Sequence, residues 1–170
     1  SAYVIQFIGP PFTFSVRQVG SNCGAIGQQS IKYVNGAVYW IGESGGFFVY
    51  DGTVKALPCL VEDFVFKTTG TNLGINYDAG EEVYAGLNHL YEEIIWFYAK
   101  SGSSQIDRCV TYNYQNQTWT TGSLARTTWV DASVYSAPYA TEFNSTAVPT
   151  FPTVQGITNR NTNYKFCNQE

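Results

Sequence analysis

Methionine is absent from this sequence and histidine occurs once, at position 89. Charge is scarce as well: Asp, Glu, Lys and Arg make up 13% of the 170 residues, about half the share usual for soluble domains. No stretch of 18 apolar residues exists, so no helix-type membrane span is written here, and no basic segment followed by an apolar run opens the chain. With no methionine and a strand-like run at once, Tyr3–Ile8, the chain is expected to be processed or a segment of a longer polypeptide. The four cysteines at 23, 59, 109 and 167 are far apart, which excludes a Cys-x-x-Cys redox pair or zinc knuckle. Cys59 and Cys109 lie among apolar residues and are expected as buried free thiols. The nine lysines and arginines are scattered singly against 13 acids, for a net charge of −4. Without a basic stripe no duplex-gripping surface is expected, because gripping DNA needs clustered cations.

What the sequence has in abundance is aromatic residues: 13 Tyr, 11 Phe and 4 Trp. Their arrangement is all-β. Asn35-Gly36 separates Ile31–Val34 from Ala37–Ile41, and Asn-Gly between two such runs is the strongest short hairpin signal. Gly42–Gly46 leads to Phe47–Tyr50, and Asp51-Gly52 to Thr53–Leu57. Four strands with three tight turns predict an antiparallel meander, the unit of a propeller blade or part of a sandwich. Pro58 and the acids Glu62-Asp63 predict one or two helical turns over Glu62–Phe66, and residues 70–82 read as a loop. A second β region follows: Val83–Leu87, the turn Asn88-His89, Glu93–Ala99, Ile106–Tyr112 and Gln117–Thr121. The unbroken apolar run to Ala99 predicts a strand buried on both faces. Ala125–Ala132 and Val134–Tyr139 predict a third group of strands. Val49–Gly52 and Thr111–Tyr114 read as equivalent strand ends, although their offset gives no clean repeat. The expected organisation is a propeller-like domain over residues 1–140, forming an incomplete propeller or part of one, and an extended Asn/Thr/Pro-rich arm over 141–170.

Several residues invite a chemical reading. Gly42-Glu43-Ser44-Gly45-Gly46 fits Gly-x-Ser-x-Gly, but a nucleophile elbow needs a strand-to-helix turn, and this motif sits between two strands. A serine protease would also need an oriented His and Asp, and His89 lies in a turn of its own. One histidine without paired ligands builds no zinc site. Glu81-Glu82 and Glu92-Glu93 offer paired carboxylates of the kind glycoside cleavage uses, though adjacent acids in loops are commonly solvated faces. Trp40, Trp96, Trp119 and Trp129 could stack on sugars, but each sits in an apolar run that core packing explains. No catalytic, cofactor-binding or metal-binding residue is expected, and no cofactor.

A longer constellation resembles a known family. Val19–Gly24, Val34–Gly42, Phe47–Gly52 with Leu57-Pro58-Cys59, Glu93–Tyr98, Ile106-Asp107-Arg108, Tyr112-Asn113-Tyr114, Trp119 and Gly122–Trp129 resemble the tail nozzle proteins of short-tailed, podovirus-type phages, also called tail accessory or packaged-DNA stabilisation proteins. The likeness spans about residues 4–140. It implies a β-propeller-rich structural virion protein rather than an enzyme, forming a homo-oligomeric, hexameric ring at the distal end of the tail. Such a ring would form the DNA-exit channel, help retain packaged double-stranded DNA without sequence-specific binding, and meet a tail adaptor protein and tail fibres or spikes, with no membrane. Assembly in the bacterial host cytoplasm would suit reduced thiols. Family members are several hundred residues long, so this chain would be one segment. The alternative is a carbohydrate-binding receptor module of the virion. A third reading is a tail-associated glycan hydrolase using Glu92 or Glu93.

Overall fold

Asn35 and Gly36 both take left-handed backbone angles, φ 50° and 82°, the condition for a type I′ turn. They join β3 (Lys32–Val34) to β4 (Ala37–Ile41). Gly45 and Gly46 bring the chain back into β5 (Phe47–Tyr50), and Asp51-Gly52 turns it into β6 (Val54–Leu57). The four strands pair antiparallel in chain order, so the meander read from residues 31–57 is present. The structure, a computed structural model, describes residues 1–125 together with Thr128, Trp129 and Asp131.

A second four-stranded antiparallel sheet repeats this plan, again in chain order: β7 (Tyr84–Asn88), β8 (Glu93–Tyr98), β9 (Arg108–Asn113) and β10 (Thr118–Ser123). Tyr50 and Tyr112 fall near the ends of the third strand of each sheet, the equivalence suggested by their neighbouring residues. The repeat lacks a clean period because chain is inserted between the sheets. That insertion holds α1 (Glu62–Phe66) and a 3-10 turn, Tyr77–Glu82, where the sequence suggested only loop. The Asn76 side chain caps this turn by accepting from the Asp78 N–H at 3.1 Å.

The two sheets share one core. Period-two alternation puts Tyr39, Ile41 and Phe47 of the first sheet on the same side as the cross-strand pairs Ile41↔Phe47 and Phe47↔Leu57. In the second sheet it brings Ile94, Trp96, Tyr98, Val110 and Tyr112 into the same cluster. Phe47 stands between them, with ring centroids 5.1 Å from Trp96, 4.5 Å from Trp119 and 5.2 Å from Phe66 of α1. Ile95 and Phe97 face the other way, into a smaller cluster with Tyr84 and Cys109, closed by Ile106, Leu124 and Trp129. Strand β8 is therefore buried on both faces from Ile94 to Tyr98, as its apolar run predicted.

A third, two-stranded sheet departs from the expectations. The first strand ends at Phe7, and a second, β2 (Phe14–Gly20), pairs antiparallel with β1 (Ala2–Phe7) as a hairpin. Among the described residues there are thus three antiparallel sheets, none closed on itself, and the fold is all-β. The strand expected over Ala125–Ala132 is not formed where the residues are described: Ala125, Thr128, Trp129 and Asp131 lie outside any strand, and Trp129 and Asp131 meet Leu87 of β7 through their side chains. Val134–Tyr139 and the arm over 141–170 lie outside the described residues.

Candidate functional site

The candidate chemical residues are dispersed. Gly42–Gly46 is a hairpin turn, closed by hydrogen bonds from Gly42 N to Gly46 O (2.9 Å) and from Gly45 N to Gly42 O (3.1 Å). Ser44 is exposed at its tip, without the helix that a nucleophile elbow requires. His89 is exposed in the turn between β7 and β8, a loop of the other sheet. Glu81 and Glu82 are exposed on the 3-10 turn. Glu93 opens β8 opposite Asn88 and accepts a long hydrogen bond from its side chain at 3.5 Å. Partial burial raises the pKa of Glu93, with that hydrogen bond opposing. Among the described residues no three His, Cys, Asp or Glu side chains converge as a metal site would require.

The indoles are engaged in the fold. Trp40 donates to Cys23 O at 2.9 Å, Trp96 to Ser30 O at 2.9 Å, Trp119 to Pro58 O at 2.9 Å and Trp129 to Leu87 O at 3.4 Å. Three of these bonds hold a connecting segment against a sheet, satisfying carbonyls that would otherwise be left to water or orphaned. Cys23 and Cys109 are buried free thiols, whereas Cys59 is half-buried rather than buried. Desolvation pushes the Cys59 thiol up to about 11 and raises that of Cys109. Cys167 lies outside the described residues.

Every described lysine is paired with an aspartate: Lys32 with Asp131, Lys55 with Asp51, Lys67 with Asp63, and Lys100 with Asp107. Two of these pairs are spaced i, i+4 and could have been read from the sequence. Such exposed pairs add little stability, but each cancels a positive charge where it stands. Arg108 is also occupied: its guanidinium donates to Leu73 O at 2.7 Å and to the Asn72 side chain at 3.1 Å, and lies over the Phe64 ring.

A shallow cleft of about 410 Å³ opens beside Lys32, Tyr84 and Trp129. Its charges are spent internally. The Asp131 carboxylate takes the Lys32 ammonium on one oxygen and the Leu87 N–H on the other, at 2.7 Å, while the Trp129 indole donates to the carbonyl of the same Leu87. These contacts cap the outer edge of β7, one of the means by which sheets avoid unwanted pairing. Trp129 comes so close to Gly86 that a Cβ there would meet its ring at 2.5 Å.

Among the described residues, the hairpin presents the longest row of exposed apolar side chains. Tyr3, Ile5 and Phe7 alternate along β1 and stand opposite Gln18, Val16 and Phe14 of β2, so all six share one face. The five apolar ones are each 60–68% exposed, and Ile8 and Phe12 at the tip are exposed as well. Within the face, Phe7 and Phe14 make an edge-to-face pair at 5.7 Å. The charged residue Arg17 pairs with Val4 on the opposite face. The sequence held the signal for this hairpin, in Phe14-Ser15-Val16-Arg17-Gln18 alternating after Gly9-Pro10-Pro11. The chain matches no protein-family model and no curated protein.

Proposed function

We propose that this chain is a structural segment of a short-tailed phage tail, part of a nozzle ring that forms the distal DNA-exit channel, helps retain packaged DNA and presents attachment points for fibres or spikes. The observation that carries the reading is the chain-order repetition of a four-stranded antiparallel meander, the unit from which propeller blades are built and which the sequence resemblance implies. In this reading the two large sheets are blades of a propeller that other parts of a longer chain complete. The pairing of each described lysine with an aspartate supports it too. A conduit wall must let DNA pass, and cations neutralised in place offer phosphates little to hold. The carbohydrate-binding alternative would need aromatic faces presented from loops: the four indoles are spent on backbone carbonyls within the fold, and that reading would fall to exposed turn residues such as Phe12 and Tyr91.

Quantitative mass spectrometry of purified phage particles tests the reading. Peptides of this chain belonging to a longer virion protein at about six copies per particle, the count of a closed six-fold ring, are the expected result. A free 170-residue species absent from particles would overturn it. A melting temperature that rises with added host glycan would move the chain to the carbohydrate-binding class.

A further inference from the structure

A two-stranded hairpin is marginal by itself in water; stability calls for further strands or a packed surface on its apolar face. Among the described residues β1 and β2 pair only with each other, and their residues are absent from both core clusters. We infer that the apolar face of this hairpin, formed by Tyr3, Ile5, Phe7, Phe14 and Val16, is the contact through which a second copy of this chain docks.

Area and charge both point to that occupant. With about 200 Å² per large side chain, the exposed apolar residues of the face and its tip offer roughly 900 Å². Single apolar patches on monomers run to about 300–600 Å², and a stable interface takes about 800 Å² from each partner. The chain carries a net charge of −4, so two copies repel wherever their charged surfaces meet. The hairpin face carries no ionised side chain, since Arg17 lies on the opposite side; copies can approach there without that cost. The inference deepens the assembly reading and rests on it for the partner being another copy: an arm reaching from one subunit to the next is a contact that can repeat around a ring.

The test is the oligomeric state of the full chain by light scattering after size exclusion, across a dilution series. Wild type is expected to be oligomeric. Replacing both Ile5→Lys and Val16→Lys, which face each other across the hairpin, should weaken association by about 100-fold or more. Because the hairpin stands outside the core, near-ultraviolet circular dichroism should confirm that both large sheets are intact. Gln6→Lys, on the opposite face, should leave association unchanged. A wild type that stays monomeric throughout overturns the inference. So does an oligomer that survives the double substitution, or one that Gln6→Lys dissolves equally. A hairpin-dependent dimer sustains the inference whatever the copy number per particle, which the mass spectrometry decides; a six-copy ring indifferent to the double substitution refutes the inference and leaves the six-fold reading standing.

Discussion

Replacing Phe47 by alanine should cost this protein a large part of its stability. The side chain is 1% exposed and touches three aromatic rings, two from the second sheet and one from α1. A buried phenylalanine accounts for about 200 Å² of surface, which at about 25 cal/mol per Å² is roughly 5 kcal/mol for the whole residue. Alanine keeps the Cβ but leaves a void that the rigid indoles of Trp96 and Trp119 fill poorly, so the loss should be about 3–5 kcal/mol. Whole domains are stable by only about 5–15 kcal/mol. At roughly 2–4 °C per kcal/mol for a chain of this size, the melting temperature should fall by about 10 °C. Urea unfolding followed in parallel by tryptophan fluorescence and far-ultraviolet circular dichroism measures it. Both signals should move together, because Phe47 joins the two sheets into one cooperative core. Phe47→Leu should cost less, about 1–2 kcal/mol. A loss under about 1 kcal/mol for alanine, or two separated transitions in the wild type, would refute the shared core.

Three further outcomes follow from the geometry. Burial raises the Tyr98 phenol to about 12, with Arg108 working against the shift; the folded protein thus keeps a proton that the unfolded chain gives up near pH 10. Stability from this group is complete below pH 10 and should be lost as pH rises through about 12, a fall that Tyr98→Phe flattens in alkaline denaturation. Gly36→Ala and Gly86→Ala should destabilise for different reasons: at Gly36 nothing lies within 4 Å of the added Cβ and the cost of about 1–2 kcal/mol is its φ of 82°, whereas at Gly86 the Cβ displaces Trp129. Thermal melts separate them, since only Gly86→Ala should also shift Trp129 fluorescence. Cys59, held protonated by burial, should react with a thiol reagent at pH 8 much more slowly than a free cysteine, with full reactivity on unfolding; rapid labelling of the folded protein would contradict this.

The large sheets were legible because their signals are local. Asn35-Gly36, Gly42–Gly46 and Asp51-Gly52 each fix a turn from two to five residues, and the apolar run Glu93–Ala99 read as a strand buried on both faces. The hairpin was harder to see, since the apolar face of Phe14–Gly20 joins neither core cluster among the described residues and so lacks the core context that makes a strand recognisable. The 3-10 turn at Tyr77–Glu82 escaped for a related reason: it is polar, and a short capped turn has no periodicity to read. What could not be read at all was the sharing out of partners. That Trp129 would be spent on the edge of β7, or that Lys32 would find Asp131, depends on the chain doubling back across a sheet.

The order of the strands has a consequence for synthesis. Each large sheet pairs only neighbours in the chain, so the first can form as soon as Leu57 has emerged, through local contacts of the kind that close quickly. Its inner face, with Ile41 and Phe47, then has only Val65 and Phe66 of α1 to cover it until β8 arrives some dozens of residues later. During elongation at about 5–20 residues per second, this leaves an oily half-domain waiting for a few seconds. The interval is set by the insertion between the sheets, so lengthening that insertion would prolong the exposure, and shortening it would relieve the nascent chain of its most aggregation-prone moment.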